Sequence, residues 1–111
     1  MSDETIQQTI RQQVAENPIL LYMKGSPDQP MCGFSQRAAQ ALAGCGREFA
    51  YVDVLQDEQI RQGIKAFGDW PTIPQLYIDG ELVGGCDIIM EMFESGELQQ
   101  LVDGAGAHTG S

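Results

Sequence analysis

Cys32 is followed by Gly33, Phe34 and Ser35, and is preceded across the loop Ser26-Pro27-Asp28-Gln29-Pro30 by Lys24-Gly25. A thiol placed where a helix begins sits at the positive end of the backbone dipole, near unpaired amides. Both favour the thiolate, the form that attacks disulfides and binds soft metals. With Ser35 three residues after Cys32, no second thiol stands where it could resolve a mixed disulfide within the chain, so an external thiol must do so. The usual fate of a free cysteine is that of a small buried hydrophobe. The loop and helix-start position of Cys32 argues against that fate. Cys45 fits it, because Phe34, Ala38, Ala41, Leu42 and Cys45 share one helical face that is expected to be buried.

These residues need elements to hold them. Ile6, Ile10 and Val14 recur at helical spacing, and Asn17-Pro18 stops the pattern, which predicts a helix from Asp3 to Glu16. Ile19-Leu20-Leu21-Tyr22-Met23 shows no alternation, as expected of a central strand buried on both faces. A second helix starts at or just after Cys32 and stops at Gly44 or Gly46. A strand at 49–54 follows, then a third helix capped by Asp57 that buries Ile60, Ile64 and Phe67. Asp79-Gly80 between two apolar runs predicts a hairpin of Gln75 to Ile78 with Glu81 to Val83. A last helical region begins near Asp87 with Ile88, Ile89, Met92 and Phe93 inward, and continues past Gly96 as a short turn carrying Leu98, Leu101 and Val102. Met90 and Met92 are expected to fill core gaps. The pattern is an α/β fold, a four-stranded mixed sheet flanked by helices, over residues 1–103, with an unstructured tail at 104–111 that holds the lone His108.

The chain has 111 residues, 42% of them apolar and 20% charged, enough for one domain with its own core. Sixteen acidic against six basic residues give a net charge of -10, which disfavours nucleic acid backbones and anionic membranes. No apolar run approaches the ~20 residues that span a bilayer. The acidic start lacks the pattern of a secretory signal. Three cysteines, Cys32, Cys45 and Cys86, are too few for a disulfide framework and suit a reducing compartment. A soluble cytoplasmic protein is expected.

Lys24-Gly25, the loop carrying Met31, and Cys32-Gly33-Phe34-Ser35 together resemble the signature of the monothiol glutaredoxins. Trp70-Pro71-Thr72-Ile73-Pro74-Gln75, Asp79-Gly80 and Gly84-Gly85-Cys86-Asp87 are similar to that family in order and distance. The resemblance covers residues 3 to 103. It implies a thioredoxin-like fold, glutathione binding, and a 2Fe-2S cluster shared by two subunits with Cys32 as the metal ligand. It further implies a role in cluster assembly, storage or transfer, with monothiol deglutathionylation as the alternative activity. A 2Fe-2S centre takes four thiolates and each chain offers one exposed candidate. The count closes if each of two chains brings Cys32 and one glutathione, giving a homodimer only when the cluster is bound. A BolA-like protein and apo iron-sulfur client proteins are the further partners the family implies.

Glutathione carries two carboxylates and one ammonium, and the cations that could meet it are few. All six, Arg11, Lys24, Arg37, Arg47, Arg61 and Lys65, lie in the first 65 positions, and the rest of the chain carries acids only. Lys24 and Arg61 match the family's residues for the glycine carboxylate, although Arg61 fits an ordinary solvated charge equally well. Thr72-Ile73-Pro74 resembles the family's cis-proline turn, in which the backbone of Ile73 would meet the cysteinyl part of the ligand. Asp87 matches the acid for the γ-glutamyl ammonium and could also cap a helix; the amides around Cys86 suit the neighbouring carboxylate. Gly84-Gly85 is either a bulge ending the hairpin or flat backbone for the ligand. Cys86 is either a packed thiol beside the site or a disulfide partner of Cys32, the former being expected at rest. Trp70-Pro71 packs the core or frames the site.

Overall fold

The structure, a computed structural model, describes residues 3–106. Its elements run α1 (Asp3–Glu16), β1 (Ile19–Met23), α2 (Gly33–Gly44), β2 (Ala50–Asp53), a 3-10 turn (Val54–Gln56), α3 (Glu58–Gly68), β3 (Gln75–Ile78), β4 (Glu81–Gly84), α4 (Cys86–Ser95) and α5 (Glu97–Gly104). The sheet order is β2-β1-β3-β4, with β1 parallel to β2, and β3 antiparallel to both β1 and β4. This is the mixed four-stranded sheet and thioredoxin-like fold expected.

Every residue of β1 is buried, and the reason is the two-residue period of a strand. Ile19, Leu21 and Met23 point to a core shared with Leu42 of α2, Ile89 of α4 and Leu98 of α5. Leu20 and Tyr22 point to the opposite core, with Ile10 of α1 and Ile64 of α3. With both faces covered, the run has no polar face to alternate. Cutting back one of these fully buried leucines to alanine costs about 2–5 kcal/mol.

Helix ends follow their local chemistry. Asp57 caps α3 by accepting the N–H groups of Gln59 and Ile60 at 2.9 and 3.3 Å. The Gly80 of the hairpin turn has φ +82°, and Asp79 before it has φ +53°, the pair of left-handed conformations such a two-residue turn requires.

Three expectations are corrected. Phe34, placed on the buried face of α2, is 58% exposed, because it lines the open cavity beside the start of the helix while the next residue, Ser35, turns inward. Phe93, assigned inward, is 40% exposed, since α4 and α5 join the core through Ile89, Leu98 and Val102. Residues 104–106, placed in the expected tail, belong to the described structure: Gly104 closes α5, Ala105 is buried, and the Gly106 N–H donates to Asp79 at 2.9 Å. His108 and the remainder of the expected tail lie outside the described residues. Among the described residues, no helix is long and apolar enough to cross a membrane.

Candidate functional site

Cys32 is the N-cap of α2, with extended backbone (φ -156°, ψ 150°), and its sulfur accepts the Ser35 N–H at 3.4 Å. The Ser35 side chain is fully buried. Its oxygen lies 3.6 Å from the Cys32 sulfur and accepts the Lys24 N–H, at the end of β1, at 3.0 Å. Burial pushes the Cys32 thiol up. The N–H and hydroxyl of Ser35, the N–H of Phe34 and the charge of Lys24 more than offset this, so the thiol titrates below its ordinary value.

The loop before it is held in place as well. Gly25 has φ +88°, and a Cβ there would lie 2.4 Å from the Gln29 carbonyl oxygen, so only glycine fits. The Gly25 N–H donates to Asp53 at the end of β2 at 2.9 Å, and the Met31 N–H donates to the Lys24 carbonyl at 2.9 Å.

A cavity of about 440 Å³ lies beside this thiol, lined by Lys24, Phe34, Lys65, Ile73, Cys86 and Asp87 among others. Of the residues singled out in the sequence, Lys24, Ile73, Cys86 and Asp87 therefore meet on one surface. Cys32 is not itself a lining residue but lies next to them, close enough to Lys24 and Cys86 to interact electrostatically with both. The Ile73-Pro74 bond is cis. Trp70 and Pro71 line the cavity too, so they frame the site.

Arg61 is not among the lining residues. It sits on α3 with its guanidinium 3.7 Å from Glu58, and its Nε is buried without a hydrogen-bond partner among the described residues. The cation that accompanies Lys24 is Lys65, one helical turn further along α3. Sequence reasoning passed over it. The i, i+4 spacing from Arg61, which puts both on one helix face, was the signal that could have found it.

Asp87 is exposed in the first turn of α4. The N-cap of that helix is Gly85, which brings no side-chain bond, so the capping role considered for Asp87 is not the one it takes. Cys86 is buried and free, as are Cys32 in its partly exposed position and the buried Cys45. Burial, then the charge of Asp87, raise the Cys86 thiol; Arg37 opposes them and Cys32 adds to them. Burial and Asp103 raise Cys45. Among the described residues, no three His, Cys, Asp or Glu side chains stand together as a metal site.

A thiol held toward its thiolate at a helix start, beside a cavity walled by a cis-proline turn, on this sheet, defines a thiol-chemistry protein of the thioredoxin-like class. Comparison with known proteins narrows the class. The glutaredoxin family model matches residues 19–83. Glutaredoxin 4 of Escherichia coli strain K12 is 64% identical over 93 residues, covering 84% of this chain and 81% of the relative. Glutaredoxin 4 of Haemophilus ducreyi is 58% identical over 99 residues, covering 89% and 92%. The solution structure of reduced apo GrxS14 from poplar superposes with a TM-score of 0.80 at 45% identity, covering 93% of this chain and 95% of that one. The chain belongs to the glutaredoxin family, and Ser35 makes it a monothiol member.

Proposed function

We propose that the protein binds glutathione beside Cys32 and, as a homodimer, holds a 2Fe-2S cluster for assembly, storage or transfer to apo iron-sulfur proteins. The observation that carries this is the pairing of a thiolate-favouring Cys32 with a buried, hydrogen-bonded Ser35 in place of a second thiol. The donor set fits the ligands. Glutathione needs cations for its carboxylates and an anion for its ammonium, and the cavity offers Lys24 and Lys65, then Asp87. The backbone of Ile73 would hold the cysteinyl part, and the open amides at the start of α4, around Cys86, would take the γ-glutamyl carboxylate. Arg61 is in reach of this role only by leaving Glu58.

Cys32 would be the one protein ligand from each chain. A soft metal centre takes a thiolate, and the hydrogen bonds from Ser35 and the charge of Lys24 both favour that form of this sulfur. The remaining thiolates come from glutathione, whose placement is therefore the main task of the fold. When bound, the cluster supplies iron and sulfide for delivery. A BolA-like protein as a further partner, and a cytoplasmic location, complete the proposal; three free cysteines suit that reducing compartment.

The same thiolate favours a second activity, monothiol deglutathionylation. Cys32 would attack the glutathione sulfur of a protein mixed disulfide and release the protein thiolate. A second glutathione thiolate would then attack the Cys32 adduct, releasing glutathione disulfide and restoring Cys32.

Anaerobic reconstitution with iron, sulfide and glutathione, followed by visible absorption and a calibrated sizing column, decides between them. A coloured dimer that reverts to monomer when iron or glutathione is removed supports the carrier. Colourless monomer that turns over glutathionylated substrate supports the reductase.

A further inference from the structure

Gln75 is a fully buried polar side chain at the start of β3, on the same face as Tyr77. Its amide nitrogen donates to two carbonyl oxygens of the segment that walls the cavity, those of Trp70 at 2.9 Å and Thr72 at 3.2 Å. Its oxygen accepts the Tyr77 hydroxyl at 2.9 Å. The orientation of the amide follows from chemistry, because carbonyls only accept and must face the NH2 group. Both nitrogen hydrogens are thus used, one on each carbonyl.

The fold makes room for this arrangement. A Cβ on Gly68, the last residue of α3, would lie 2.3 Å from the Tyr77 hydroxyl and 3.1 Å from the Gln75 oxygen. The segment needs such a staple because Pro71 and Pro74 lack N–H groups and leave it few backbone bonds of its own. Its Trp70 N–H donates back to Lys65 at 3.1 Å, and a Cβ on Gly85 would lie 3.0 Å from the Trp70 indole nitrogen. The wall is therefore fixed to α3 at one end and packed against the start of α4.

We infer that Gln75 is a positioning residue for the ligand: through two hydrogen bonds from its buried amide it fixes the Trp70 to Thr72 backbone, and with it the Ile73 edge presented to the tripeptide. This rests on the glutathione assignment above. Gln75 is not among the residues that line the cavity; it acts through the wall.

Gln75→Glu keeps the shape and exchanges the NH2 donor for a carboxylate, which repels both carbonyls until it takes up a proton. Tyr77 on β3 is pushed by burial up to about 12, and Tyr22 on β1 beyond the range of the experiment, while Lys24, Lys65 and Asp87 line the cavity and are common to variant and wild type. Gln75→Met removes the donor at every pH and serves where the carboxylate variant does not fold.

Two readouts are taken on full-length protein at pH 5.5 and 7.5: amide order parameters of Thr72 and Ile73, and the dissociation constant for reduced glutathione from NMR titration. Wild type is expected near ~0.85 at both pH values, with both variants falling toward ~0.6 at pH 7.5. Affinity should drop about ten-fold alongside. At pH 5.5 the Glu variant, whose neutral carboxyl has one O–H to give to one of the two carbonyls, should regain part of both relative to wild type, and the Met variant neither. Unchanged order parameters in either folded variant overturn the inference, as does a loss in the Glu variant that ignores pH. If wild type shows no saturable glutathione shifts while the order parameters behave as expected, the glutathione assignment fails and the staple stands.

Discussion

The Ser35 oxygen accepts the Lys24 N–H at 3.0 Å and stands 3.6 Å from the Cys32 sulfur. With the amide engaging its lone pair, the hydroxyl proton is free to turn to the sulfur, so a thiolate at Cys32 gains a donor. Ser35 is thus a support for the reactive group as well as the absence of a second one.

Ser35→Ala should move the Cys32 thiol back up toward its ordinary value. The alkylation rate at neutral pH should fall by a factor of a few, with the inflection of its pH profile displaced to alkaline. A rate profile superimposable on wild type removes Ser35 from the support of the thiolate.

Limiting iodoacetamide at neutral pH should label Cys32 alone, because Cys45 and Cys86 are buried and held protonated. Peptide mass mapping checks this, and early label on Cys86 contradicts it. The same shifts fix a stability trend. The folded chain releases the Cys32 proton before the unfolded chain does, so stability rises with pH between the folded value and the unfolded one near ~8.5. Cys45 and Cys86 behave oppositely: the unfolded chain releases their protons first, and stability falls as pH climbs past the same unfolded value. The denaturant midpoint should therefore decline on the alkaline side.

Cys45→Ala should cost about 1 kcal/mol in denaturant unfolding and leave cluster yield unchanged, since only a small buried group is lost, at the end of α2 opposite Cys32. A cluster lost with the fold intact would assign Cys45 to the site.

Cys32→Ser should do the reverse, leaving stability within ~0.5 kcal/mol while abolishing visible absorbance after reconstitution. Normal absorbance would remove Cys32 from the metal.

Lys65→Gln should weaken glutathione binding by roughly three- to ten-fold and Arg61→Gln by less, because Lys65 lines the cavity and Arg61 is engaged with Glu58. The opposite ranking in a calorimetric titration would show that Arg61 leaves Glu58 when the ligand arrives.

Much of this was legible in the sequence, for identifiable reasons. The period of Ile6, Ile10 and Val14, the doubly apolar run at 19–23, the Asp57 cap and the Asp79-Gly80 turn are local signals, and the elements they predict are the ones found. Phe34 and Phe93 misled because periodicity says which residues share a face but not which of them another element covers; Phe34 walls the cavity instead. Lys65 was missed because cavity walls are assembled from distant segments. Gln75 is invisible to such reasoning except as part of a motif, since a glutamine gives no sign in sequence of being buried or of what its amide holds.

The uneven charge of the chain has a kinetic consequence. Its cations end at Lys65, yet two of them wall the cavity, within a molecule of net charge -10. An anionic ligand is therefore repelled at long range and attracted only over the last few ångströms. Added salt shortens the reach of the first field, to about 8 Å at physiological strength, before it weakens contacts inside the cavity. Such a ligand should meet this protein faster as ionic strength rises from low values, the reverse of steered association.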